Sequence, residues 1–137
     1  MPSTTQGAKS TLDQKRASHA WQAVERAKSK QGAHQKQSPK KFGGQAKKLP
    51  VRIMASGLGQ SLAFLRAKDY APGLLAELTA WVNDRIPRTS TDPQELLERI
   101  VRGDSDFLRR ATDEVLAYLQ WLNRFAEAEG LTEGEDS

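Results

Sequence analysis

Apolar residues in this chain recur at steps of three and four and never settle into alternation, a pattern that restricts it to helices. Leu12, Ala17, Ala20, Trp21, Val24 and Ala27 form one stripe, and Phe42, Ala46, Leu49 and Ile53 a second. Leu58, Leu62, Phe64 and Leu65 give a short third. Leu74, Leu75, Leu78, Trp81, Val82 and Ile86 make the fourth, and Leu96, Leu97, Ile100 and Val101 the fifth. The last runs from Phe107 through Val115, Leu119 and Leu122 to Ala126. Clusters of β-branched residues are scarce, so local propensity agrees with the period. At 137 residues the chain suits one core, and the expected fold is an all-α, single-domain bundle of about six helices.

Cap and breaker residues set the expected boundaries. Thr11 with Gln14 reads as a capping box opening a first helix over about 11–31. Ser38-Pro39 restarts the chain as cap and first-turn proline. Pro50 falls inside the second stripe, which stays in phase across it, so a kink is expected there and not an end. Gly57-Leu58-Gly59 redirects the chain into the third helix, which reaches about Lys68. Pro72 opens the fourth helix and Pro87 closes it. Asp92-Pro93 with Glu95 signals the start of the fifth, and Gly103 its stop. Asp104 or Ser105 caps the sixth and Gly130 ends it. Residues 1–10 read as a disordered lead, 11–130 as the helical domain, and 131–137 as an acidic, frayed tail.

Charge is divided unevenly along this pattern. Residues 1–60 carry 12 Lys/Arg against 2 Asp/Glu, net +10, and residues 61–137 carry 9 against 15, net −6. No acidic residue occurs between Glu25 and Asp69. Such a division suggests one surface for a polyanion and another for a different partner, the plainer alternative being a solvated lysine-rich face. On a helix, Lys40, Lys41, Lys47 and Lys48 share roughly one side, opposite Phe42, Ala46 and Leu49. With Arg52, and with Lys28 and Lys30 near the end of the first helix, they are the candidate residues for contact with a polyanion. Glu95, Glu98, Asp113 and Glu114 are the candidates for docking basic protein neighbours. Aromatic residues are sparse in the acid-free window, which favours contact with a nucleic-acid backbone over base stacking. Trp21, Trp81 and Trp121, on or beside apolar stripes, are read as core anchors.

Catalytic chemistry is poorly supplied. The chain has no cysteine, which removes disulfides, thiolate nucleophiles and cysteine-ligated zinc. Its two histidines, His19 on the first helix and His34 in a polar loop, have no acid nearby in sequence to orient them. Asp104 and Asp106 fit a helix start better than a metal site. Gly57-x-Gly59 lacks the strand and third glycine of a phosphate loop. No metal, cofactor, small-molecule substrate or catalytic residue is expected. No apolar run approaches the roughly 20 residues of a membrane span, and the first residues lack the apolar core of a secretory signal, so a cytoplasmic protein is expected.

The segment Leu49-Pro-Val-Arg-Ile-Met-Ala-Ser-Gly-Leu-Gly-Gln-Ser-Leu-Ala-Phe-Leu-Arg-Ala-Lys68 resembles the signature of a known family, the small helical subunit of the type III-B CRISPR effector (the Cmr, or RAMP module, complex). Shared are a proline, an apolar pair, Gly-Leu, then Leu-Ala-Phe and a lysine. Gln14-Lys-Arg-Ala17 with Trp21 and Val24 is similar to the family's first helix. Arg110-Ala-Thr-Asp-Glu-Val-Leu-Ala-Tyr-Leu-Gln-Trp-Leu-Asn-Arg-Phe-Ala126 is similar to its last. The likeness spans about 11–128, and over 70–105 it consists of helical character alone.

This resemblance implies a non-catalytic subunit of an antiviral ribonucleoprotein. Copies of it stack as an inner filament against the backbone subunits that hold the guide RNA, and line the channel where target RNA pairs with the guide. Cleavage belongs to the backbone subunits and nucleotide cyclisation to the large subunit. Two other readings stay open from the residues: a free-standing helical nucleic-acid-binding protein and, less favoured, a ribonuclease.

Overall fold

Three of the described helices begin where a capping side chain supplies an acceptor for backbone N–H groups that the first turn leaves unpaired. The computed structural model describes residues 9–132. Among them are six α-helices: α1 (Leu12–Lys28), α2 (Pro39–Ser56), α3 (Leu58–Lys68), α4 (Pro72–Arg85), α5 (Leu96–Arg102) and α6 (Ser105–Ala128). A 3₁₀ turn, Gly32–His34, interrupts the linker between α1 and α2. No strand occurs among the described residues, and the architecture is the expected all-α bundle. Thr11 and Gln14 exchange hydrogen bonds of 2.8 and 3.0 Å in a capping box. Ser38 accepts from the Lys41 N–H ahead of α2, and Asp104 from the Phe107 N–H ahead of α6.

The helices pack with definite polarity. Arg16 meets Glu114, His19 meets Tyr118, Trp21 meets Phe125 and Lys28 meets Glu129, so α1 and α6 run parallel. Asn123 meets Ala46, while Leu131 beyond the end of α6 meets Gly43, so α2 runs antiparallel to α6. A hairpin at Gly57 lays α3 back along α2. The core between them holds Phe42, Leu49, Leu62, Leu65, Leu74, Leu78, Tyr118, Leu119 and Leu122, all fully buried. Each large apolar side chain so placed contributes about 1.5–3 kcal/mol relative to exposure. None of the described helices is long and apolar enough to cross a membrane.

α2 runs unbroken through Pro50. The missing proline N–H leaves the Ala46 carbonyl, one turn earlier, without its helical partner. The side-chain amide of Asn123 on α6 donates to that carbonyl at 3.1 Å. A neighbouring helix thus replaces the lost bond, and the apolar stripe continues to Ile53.

Several boundaries differ from the sequence expectation. α1 stops at Lys28 and not near residue 31, because Lys30 turns left-handed (φ 55°) and the Lys30 and Gln31 N–H groups close back on Ala27 and Arg26. α5 begins at Leu96 and not at the Asp92-Pro93 signal. The Asp92 carboxylate instead accepts from the Thr89 N–H, and Thr79 and Asn83 of α4 bond the segment leading into α5. Leu131, expected in the frayed tail, is buried: Gly130 (φ 73°) reverses the chain and the Leu131 N–H bonds to the Ala126 carbonyl at 2.9 Å. Such a closure commonly carries an apolar residue at that position. Residues 1–8 of the lead and 133–137 of the tail lie outside the described residues. Of the three tryptophans, Trp81 is buried in the core and Trp121 is half-buried against it, whereas Trp21 is 50 % exposed, its ring edge-on to Phe125 at the seam of α1 and α6.

Candidate nucleic-acid interface

The phase of α2 decides which of its cations face outward. Phe42, Ala46, Leu49 and Ile53 point into the core. Lys40 and Lys47 therefore lie on the exposed side, with Val51 and Met54 further along the helix at 73 and 78 % exposure. Lys41, Lys48 and Arg52 occupy the flank towards α3 and are each half-buried. Among the described residues no carboxylate pairs with Lys40, Lys47 or Lys48. The five candidates on α2 thus share one helix but form two rows.

The inner row meets aromatic rings. The Lys41 ammonium sits 4.8 Å from the centre of the Tyr70 ring. The Arg52 guanidinium lies over Phe64 on α3, 4.5 Å from the ring centre, and the Lys68 ammonium approaches the same ring at 5.8 Å. Arg52 also donates to the side-chain oxygen of buried Gln45 at 2.7 Å. Phe64 and Lys68 are not among the sequence candidates. Both stand in the acid-free window, and a hairpin folded at Gly57 brings residues on either side of it face to face; that is the available signal.

The remaining two basic candidates do not join this face. Lys28 donates to Glu129 at 2.6 Å and lies 3.9 Å from Glu25, and the bond it makes to the Glu129 carboxylate raises its pKa. It ties the end of α1 to the end of α6. Lys30 is exposed at the left-handed exit of α1 and belongs to the linker.

Three of the four acidic candidates are engaged within the chain. Glu114 accepts two bonds from Arg16, at 3.1 and 2.9 Å, and one from the Trp81 indole at 3.0 Å. Burial pulls its pKa up, but these bonds prevail and hold the carboxyl below its ordinary value. Glu95 pairs with Arg66 and Glu98 with Arg102. Asp113 is exposed, with no pairing partner among the described residues.

Both histidines have orienting partners that their sequence neighbourhoods conceal. His34, expected in a polar loop, is buried: its Nε2 lies 2.8 Å from Glu77 on α4, and Gln37 donates to its Nδ1 at 2.6 Å. Gln37 in turn accepts from the Gly73 N–H, which identifies its amide ends and assigns His34 as the Nε2–H tautomer. Arg26 adds two bonds of 2.8 Å to Glu77. Burial works against the Glu77 carboxylate, but Arg26 and His34 together bring its pKa down to about 2. His19 lies against Trp81 and Tyr118, its Nδ1 2.7 Å from the Tyr118 hydroxyl, and burial lowers its pKa. These groups join α1, the linker, α4 and α6.

Residues 12–129 match the family model described as CRISPR-associated protein (Cas_Cmr5). The chain is also similar to the CRISPR system Cmr subunit Cmr5 of Thermus thermophilus. The two are 36 % identical over 85 residues, which cover 61 % of this chain and 69 % of that protein. The matched region runs from the first residue of α1 to just past the end of α6, and on that footing the chain belongs to the Cmr5 family of CRISPR-associated proteins.

Proposed function

We propose that this protein is a non-catalytic small subunit of a CRISPR ribonucleoprotein effector, and that the outer side of α2 lines the path of target RNA. The observation that carries the reading is that Lys40, Lys47 and Lys48, on one helix, meet no carboxylate among the described residues, within a stretch that holds no acid from Arg26 to Lys68. Cations left unpaired at the surface displace the counterions condensed on a polyanion, and such contacts are blind to sequence and sensitive to salt. A subunit that must accept any target needs that property, since pairing with the guide supplies the specificity. In this reading the backbone and large subunits and further copies of the chain are its protein partners, the copies forming an inner filament. Asp113, with the charge pairs on α5, is the surface offered to basic neighbours. The non-catalytic assignment is supported by the engagement of both histidines inside the helix packing.

The test is a Lys40/Lys47/Lys48→Ala variant assembled into the effector complex. Target RNA should bind more weakly at every sequence tried. The slope of log affinity against log salt should fall by about 0.7 for each lysine that contacts a phosphate. Wild-type affinity and slope would return the face to plain solvation.

A further inference from the structure

On α3 the core-facing side consists of Leu58, Ser61, Leu62 and Leu65, all buried. Phe64 lies off that side and remains 38 % exposed. Its ring carries the Arg52 guanidinium at 4.5 Å and the Lys68 ammonium at 5.8 Å. Arg52 is held from behind by Gln45, which is wholly buried and leaves its amide nitrogen without a partner among the described residues. A buried donor left unmatched is destabilising, and the hydrogen bond Gln45 does make fixes a surface guanidinium over an aromatic ring. Beside this pair is a groove of about 250 Å³ lined by Arg52, Ser56, Gln60, Ser61 and Phe64. It is smaller than the roughly 300–1,000 Å³ of drug-sized sites and suits one flat group. Ser56 and Gln60 are exposed there, with hydrogen-bonding atoms that no described residue engages.

We propose that Arg52 and Phe64 form a stacking platform for a single unpaired base of RNA, set in the groove between α2 and α3. The inference rests on the basic-face reading above and adds to it a contact with a base. Bases stack on aromatic rings and on arginine planes alike, and here a guanidinium and a ring are already layered. Ser56 and Gln60 supply donors and acceptors for a base edge or a ribose hydroxyl. Lys48, one turn from Arg52, and Lys68, one turn from Phe64, flank the platform for the adjoining phosphates. The rival occupant is an apolar segment of a protein neighbour, for which Val51 and Met54 offer nearby contact. The rim favours the nucleotide, because it carries Lys48, Arg52 and Lys68 and has no acid before Asp69.

The experiment uses the full chain with a short single-stranded oligoribonucleotide carrying 2-aminopurine, whose fluorescence falls when it stacks. Phe64→Leu keeps an apolar side chain and removes the ring; it should weaken binding about 5- to 150-fold and abolish the quench, with the salt slope unchanged. Phe64→Trp should retain both. Arg52→Lys keeps the charge and removes the plane, and should also lose the quench at constant slope, so the result does not hang on one variant. A Phe64→Leu protein with wild-type affinity and quench, alongside a weakened Lys40/Lys47/Lys48→Ala protein, overturns the platform and leaves the basic face standing. If neither variant changes binding, the basic-face reading itself fails. If Phe64→Leu binds RNA normally but no longer enters the effector complex, a protein fills the groove and the proposal is wrong.

Discussion

Two regions of this molecule handle charge in opposite ways. Between α1, α4 and α6, Arg16, Arg26, Glu77 and Glu114 are buried or half-buried and bonded to one another and to His34 and Trp81. Along α2, exposed Lys40 and Lys47 and half-buried Lys48 meet no carboxylate among the described residues. A buried charge without a partner is strongly destabilising, whereas an exposed one is nearly neutral for the fold. The first region can therefore lose nothing without loss of stability, and the second is unconstrained by the fold. Removal of side chains should separate the two: large structural effects inside, binding effects alone outside.

The largest effect is expected at Glu77. Glu77→Gln leaves Arg26 and His34 facing a neutral group and should destabilise the protein by about 2–4 kcal/mol in urea unfolding. That is somewhat less than for a fully enclosed pair, because Arg26 stays about one-third exposed. The same carboxylate gives the comparison a pH axis. Its pKa falls from an ordinary value of 4.5 to about 2 on folding. Its contribution is thus complete above about 4.5 and disappears as pH falls through about 2, roughly 3 kcal/mol in all. Wild type should lose stability through that window and Glu77→Gln should lose less. Parallel pH profiles would show that the buried network carries no such weight.

Gly73 probes the same network by shape. A Cβ there would overlap the His34 ring and stand 2.6 Å from the Gln37 amide nitrogen. Gly73→Ala should cost about 1–3 kcal/mol through overpacking, and in amide exchange the loss of protection should be centred on the linker of residues 31–38. A uniform loss over all helices would mean that the linker is not a separate clasp.

The bundle and its boundaries were legible to the extent that their causes are local. The Thr11, Ser38 and Asp104 caps, the phase of α2 and the continuation past Pro50 all follow from residues within a turn or two of one another. The charged interior was not legible. His34 and Glu77 stand 43 positions apart and Arg16 and Glu114 stand 98 apart, and nothing in either neighbourhood names the other. Glu114 accordingly reads as surface and His34 as loop. Arg52 and Phe64 are nearer to being found, since a turn at Gly57 sets them opposite each other, but seeing it requires the hairpin before the charges. Asn123 is the intermediate case: the orphaned Ala46 carbonyl follows from Pro50, while its donor comes from a helix 77 residues on.

That intermediate case yields a coupling prediction. Asn123→Leu should destabilise by about 1–2 kcal/mol, because the Ala46 carbonyl then has no partner in the interior. Pro50→Ala restores the backbone N–H that carbonyl lacks. In the Pro50→Ala background the same Asn123 change should lose most of its effect, and the difference is the interaction energy of a double-mutant cycle. Additive effects would show that Asn123 acts by packing and does not replace the proline's missing bond.

The smallest effect on stability, and the one that separates the two regions most sharply, is expected on α2. Lys40, Lys47 and Lys48 make no ion pair that folding would miss among the described residues, and alanine has the higher helix propensity at each position. Their joint replacement by alanine should leave the urea midpoint and the unfolding slope at wild-type values, or raise the midpoint slightly. Lys28→Ala is the control in the opposite sense. That lysine closes the ends of α1 and α6 through Glu129, so its loss should increase amide exchange at both helix ends with little change in RNA binding. If the three α2 lysines proved necessary for folding and Lys28 for RNA, the division between structural and available charge would be reversed. If all four behaved alike, burial and pairing would not be what assigns a cation its role in this protein.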